Sequence, residues 1–190
     1  MKNIIIVALI LLATACKAQE PIAAGNATKI KSSGLTFSVE RTTTELGNEF
    51  INIINLNNKL SKTKQVTPNL MQGVEVVHYI KYDKAILTKI CANAISLNTL
   101  KKIPKDGSYD KLLIMIKYDT QGYPLEMQYT INPKSLMNAD DFAEIEKGIK
   151  KSPFRVTFKK EIQRFIVGAN YLNINVIITY KEMLESITDN

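Results

Sequence analysis

Residues 112–131 constrain the fold more than any other stretch of this chain. In 112–118 (LLIMIKY), Leu112, Ile114, Ile116 and Tyr118 fall on one side of an extended segment. Asp119-Thr120-Gln121-Gly122 has the composition of a tight turn with glycine at its end. Residues 125–131 (LEMQYTI) then alternate, with Leu125, Met127, Tyr129 and Ile131 on one side and Glu126, Gln128 and Thr130 on the other. Successive side chains of a strand point to opposite faces, so this pattern predicts a half-buried antiparallel hairpin.

The segment that follows predicts a cover for that hairpin. Asn132-Pro133 ends the strand, and Asn138 stands where a helix cap belongs, with Asp140 and Asp141 in the favourable first turn. Phe142, Ile145 and Ile149 recur at helical spacing, Lys147, Lys150 and Lys151 sit near the C-terminal end, and Pro153 stops the helix. Residues 165–180 read as one long β-prone segment, in which Ile174, Val176, Ile178 and Tyr180 alternate with polar residues; the tail after Met183 reads as frayed. In the first half, 35–39 alternates as a strand. Thr43 or Thr44 is expected to cap a helix from about 45 to 56, with Leu46, Phe50, Ile51 and Ile54 on one face. Residues 74–82 read as a strand with His78 in phase with Val74, Val76 and Ile80, and 83–96 as a helix with Cys91 in its apolar stripe. Lys105-Asp106-Gly107-Ser108 is the expected hinge between halves.

The N-terminus is expected to be a targeting segment. Met1-Lys2-Asn3 gives a positive start, and Ile4 to Ala13 is an apolar run too short to span a bilayer. Two cleavage readings stand. Ala13-Thr14-Ala15 before Cys16 is similar to a lipobox, which would remove 1–15 and make Cys16 the lipidated first residue. A cut after Ala18 would remove 1–18 and free Gln19. Residues 19–33 are expected to be a flexible leash, and 34–184 one α+β domain of two halves, 34–105 and 110–184. Lys2 and Lys17 leave with an eighteen-residue signal, so the formal charge of +7 falls to +5. The positive residues are spread through the chain with no recognition helix among them, so no nucleic-acid partner is expected.

The chain offers little to catalysis. With a single His and Cys91 as the one mature cysteine, no convergent set of transition-metal ligands can form, and no cofactor or metal is expected. A Cys91–His78 dyad would need a thiolate beside an imidazole in a cleft, but both residues lie in apolar stripes. Asp141 and Glu144 share a helix face near Asp140 and Glu146, but acids at a helix start more often cap the helix and offset its dipole than act as a catalytic pair. Tyr79, Tyr118, Tyr123, Tyr129, Tyr171 and Tyr180 are read mainly as core and cross-strand residues. No catalytic residue is assigned.

The order strand, tight turn, strand, capped helix, long strand resembles the C-terminal domain of TonB-type energy transducers. "IKYDTQGYPLEMQY", "NADDFAEIEKGIKK" and "FRVTF" carry that likeness over roughly the last 75 residues. The resemblance implies a ββαβ unit whose sheet edge accepts a partner's extended segment, rather than energy transduction. The expectation is therefore an α+β fold, antiparallel sheet with helices on one face, in an exported protein of the periplasm or outer-membrane face, with secretion as the alternative. Its expected role is a non-catalytic protein- or peptide-binding module, held at a membrane only if Cys16 is acylated. An exported hydrolase with an unrecognised site, or a carrier of an apolar or anionic ligand, is the alternative.

Overall fold

A computed structural model describes residues 20–71, 73–102 and 111–188. The targeting segment, Cys16 and the expected hinge at 105–108 lie outside the described residues. Eight strands are described: β1 (Lys29–Ser32), β2 (Leu35–Thr43), β3 (Glu49–Asn55), β4 (Ile80–Tyr82), β5 (Lys111–Tyr118), β6 (Pro124–Ile131), β7 (Val156–Phe158) and β8 (Leu172–Thr179). The helices are α1 (Lys84–Ala94), α2 (Leu97–Lys102), α3 (Ala139–Lys151), α4 (Lys160–Ile166) and α5 (Tyr180–Thr188). Six strands form an antiparallel sheet in the order β1-β2-β3-β6-β5-β8, and β4 and β7 form a separate pair. The fold is α+β. Both sheets mix strands from the two halves, since β3 pairs with β6 and β4 with β7.

Alternation builds the core. Phe37 and Val39, Ile51 and Ile53, Met127 and Tyr129, Ile114 and Ile116, and Val176 and Ile178 are all buried on one side of the sheet. Against that side pack α1, α3 and α5, with α1 in contact with both of the others. Phe142 of α3 lies 5.1 Å from the ring centre of Tyr129. Full burial of an aromatic side chain of this size contributes roughly 2–3 kcal/mol. Asn138 caps α3 by accepting from the backbone N–H groups of Asp140 (2.8 Å) and Asp141 (3.3 Å). The Asp141 carboxylate accepts from the N–H of Asn138 (2.8 Å) and completes a capping box.

Five expectations are corrected. Residues 45–56 are not a helix: Thr44 and Asn48 close a turn, and 49–55 become β3. The run FINII suits helix spacing and strand alternation alike. Pairing to β2 and β6 decides for the strand, and leaves Leu46 88% exposed. The supposed leash folds. Ile22 is buried and donates its N–H to the Met137 carbonyl at 2.9 Å, Arg41 bonds the Ile22 carbonyl at 3.1 Å, and β1 pairs with β2. The strand expected at 74–82 shrinks to β4, preceded by a 3-10 turn over 76–79 that swings His78 out to solvent. The long segment 165–180 is broken at Gly168, whose φ of +80° lets the chain reverse after α4 and enter β8. The tail after Met183 is helical. Thr179 and Glu182 cap α5 reciprocally (2.7 and 3.1 Å), and Met183, Leu184 and Ile187 pack on the core.

The β5–β6 turn docks onto β7 at one glycine. Gly122 has φ +88°, its carbonyl accepts from the Val156 N–H at 3.1 Å, and a Cβ there would sit 1.9 Å from the Val156 oxygen. Gly122→Ala therefore combines backbone strain with a backbone clash, and is expected to cost ~2–4 kcal/mol in denaturant unfolding. Gly47→Ala, with φ +78° but open space around it, is expected to cost only ~1 kcal/mol. Equal midpoints for the two variants would contradict this account.

Candidate functional site

The helices cover one face of the six-stranded sheet, and the other face carries the candidate site. Strand register places its side chains in rows. One row runs Ile54, Gln128, Met115, Asn175 across β3, β6, β5 and β8; the next runs Asn52, Thr130, Leu113, Ile177. None of these eight side chains is charged. The Thr130 hydroxyl donates to the Asn52 side-chain amide oxygen Oδ1 at 2.8 Å, and the Asn52 Nδ2 donates to the Thr42 hydroxyl at 3.2 Å. Leu113, Met115 and Ile54 are half-buried among their neighbours, Asn175 is exposed and Ile177 is 51% exposed. A sheet face turned to solvent ordinarily carries polar and charged residues, and depletion of charge around exposed apolar side chains marks contact surfaces.

The face has a boundary and an edge. At one end Lys117 is buried, its Nζ 4.1 Å from the centre of the Tyr171 ring and 3.5 Å from the Asn173 amide oxygen. Desolvation lowers its pKa from the ordinary lysine value, opposed by the nearby Glu126 carboxylate. The Tyr171 hydroxyl donates to the Thr63 carbonyl at 2.7 Å, and Asn173 donates to the Gln65 side chain at 3.3 Å, so the 63–66 loop closes that end. At the sheet's edge, β8 pairs with β5 on one side, and among the described residues no strand pairs with its other side. Residues 174–178 thus offer backbone donors and acceptors beside the uncharged rows.

The residues weighed from sequence lie elsewhere and mostly apart. Cys91 is fully buried in α1, and burial pushes its thiol up to about 12. His78 is out in solvent, its side chain 72% exposed and paired with Glu75 at 3.0 Å. The two do not meet in a cleft: Cys91 lies in the core as its stripe predicts, and only the core-facing placement expected of His78 is corrected. Glu144 pairs with Lys147 (3.1 Å), while Glu146 is buried between Asn55 (2.9 Å) and Lys150 (2.7 Å). Asp140 accepts from the Ser32 hydroxyl. Burial pushes the Asp141 carboxyl up to about 6; the Asn138 N–H opposes the shift and the neighbouring Asp140 adds to it. The tyrosines do not form one platform: Tyr118, Tyr129, Tyr171 and Tyr180 are buried, while Tyr123 stacks under Arg155 at 4.1 Å. Among the described residues no three His, Cys, Asp or Glu side chains converge to hold a metal, and no helix is long and apolar enough to cross a membrane.

The open face has a signal in the sequence beyond simple alternation. LLIMI in β5 and VII in β8 are apolar at consecutive positions, so both faces of each strand carry apolar side chains. Helices account for one face only.

No family model matches the chain, and no curated protein matches it. Among solved structures, the crystal structure of a DUF5043 family protein from Bacteroides uniformis ATCC 8492 is similar. Its TM-score is 0.61 at 18% sequence identity, over 86% of this chain and 91% of that one. At that identity the likeness concerns the fold alone.

The raised Asp141 value yields a pH prediction. A carboxyl whose folded pKa exceeds its unfolded one stabilises the fold fully below about 3.8 and loses that contribution as pH rises through about 6. The Tm of the wild type minus that of Asp141→Asn is therefore expected to fall between pH 4 and pH 7. A difference that grows over the same range would contradict the assignment.

Proposed function

We propose that this protein is an exported, non-catalytic module that binds a protein or peptide partner on the uncharged sheet face and the free edge of β8. The observation that carries the reading is the pair of uncharged rows across four strands, ending at an eight-residue edge strand. An extended partner segment added beside β8 would satisfy the outward backbone groups of 174–178, and Ile177, Leu113 and Met115 would gain apolar cover. Burying half of an isoleucine side chain contributes on the order of 1 kcal/mol, so several such contacts are needed for affinity, and the rows provide them. The resemblance of the C-terminal element order to TonB-type domains is in keeping with strand addition. Export to the periplasm or the outer-membrane face, with a lipid tether if Cys16 is acylated, would set where the partner is met.

Site-specific photo-crosslinking in producing cells tests the reading. A photoreactive residue at the exposed Asn175 is expected to give a discrete adduct, while one at the exposed Lys151 on the helical side gives none. Adding Ile177→Lys to the Asn175 probe is expected to cut the adduct at least ten-fold. An adduct of equal yield at Lys151, or no adduct at Asn175, would remove the sheet face as the binding surface.

A further inference from the structure

A second surface carries a charge that the sheet face does not explain. Residues 70–79 and 158–172 gather around a small apolar cluster of Ile162, Ile166 and Leu172, packed by Leu70, Val74, Tyr79 and Phe165. Hydrogen bonds with Asn170 and Tyr171 hold 63–66 beside them, so segments 57–82 and 153–171 form one lobe. The first segment holds Lys59, Lys62, Lys64 and Lys81 against Glu75; the second holds Arg155, Lys159, Lys160 and Arg164 against Glu161. Glu126 also belongs here, since its carboxylate accepts from the backbone N–H groups of Lys59, Leu60 and Ser61, so eight cations against three acids give this lobe a net charge of +5. Among the described residues none of the eight forms an ion pair, while Lys84, Lys147, Lys150 and Lys181 elsewhere each pair with a glutamate. Uncompensated positive potential concentrated on one lobe attracts an anionic partner.

The lobe also has a trough to receive one. Between the 71–79 segment and α4 lies an open hollow of about 530 Å³. Val74, Tyr79, Ile162 and Phe165 give it an apolar floor, and Met71 stands at its rim, 56% exposed. Lys160 and Arg164 also line it, four residues apart and so on the same side of their helix; Glu161 is the acid beside them. The Arg164 guanidinium sits 4.5 Å from the Phe165 ring centre, and Lys159 lies 5.7 Å from that of Tyr79. Cations set at the wall of a hollow, over an apolar floor, suit a chain that enters it. A flat bilayer surface would instead meet cations on a protruding face.

We propose that this trough binds an acidic peptide segment bearing an apolar side chain, which the floor takes up while Lys160 and Arg164 meet its carboxylates. The proposal rests on the protein-binding reading for the class of occupant and uses none of the sheet-face residues.

Fluorescence anisotropy tests it with the full mature chain and a labelled twelve-residue peptide alternating Glu with Leu and Phe. Saturable binding is expected, weakening as salt is raised. Lys160→Glu with Arg164→Glu is expected to weaken it at least ten-fold, and Met71→Gln at least three-fold. Lys160→Gln with Arg164→Gln serves if charge reversal disturbs the helix, with a loss of at least five-fold. Ile177→Lys is expected to leave affinity within two-fold, so failure here and failure at the sheet face read separately. Equal binding by the charge variants, or by a peptide with Lys in place of Glu, would overturn the proposal. So would binding to phosphatidylglycerol vesicles without binding to the acidic peptide, which would make the lobe a membrane contact.

Discussion

Burial on one side of a six-stranded sheet is the interaction on which the rest of the molecule depends. Each of the five longer strands sends alternate side chains to the same side, where Phe37, Ile51, Tyr129, Ile114 and Val176 meet α1, α3 and α5. That burial holds the strands in register, because a one-residue slip would turn the whole apolar set outward. With no disulfide among the described residues to staple the chain, cohesion comes from this core and from the caps that fix the ends of its helices. The consequence for function is geometric. Once the helices occupy one face, no helix among the described residues covers the apolar residues that the sequence also places on the other face.

Much of this was legible in the sequence where local and long-range preferences agreed. The 112–131 hairpin and the 139–151 helix each carried a period, a stop signal and a turn or cap that pointed the same way, and both are where the pattern placed them. Legibility failed where one pattern fitted two structures. Residues 49–55 satisfy helical spacing and strand alternation together, and only pairing with β2 and β6 separates them. The stretch 19–33 looked too small and polar to pack, yet buried Ile22, the pairing of β1 with β2 and hydrogen bonds with Met137 and Arg41 hold it to the fold. The α5 helix was readable after all: Thr179-Tyr180-Lys181-Glu182 is a capping-box sequence, hidden by its position at the end of a strand pattern.

The candidate surfaces follow the same division. The catalytic candidates were chosen by residue type, and packing then dispersed them: Cys91 went to the core, His78 to solvent and the acids to caps and ion pairs. The sheet face was hidden for the opposite reason, since its residues are chemically plain and matter only as a set. Only strand register brings Ile54, Met115 and Ile177 onto one surface across a span of more than a hundred residues. The basic lobe likewise emerges from the pairing of β4 with β7 and the docking of Gly122 against Val156, which draw two separate lysine-rich segments together.

The central claim, that the sheet is shut on its helical side and open along β8, is tested most directly by residue-resolved amide hydrogen exchange on the mature protein. The amides of β5 and β6, paired on both sides, are expected to be the slowest. In Ile174–Ile178, amides that point away from β5 are expected to exchange at least a hundred-fold faster than those bonded to it. Uniform slow exchange along the whole of β8 would mean that the edge is already covered, and would contradict the account.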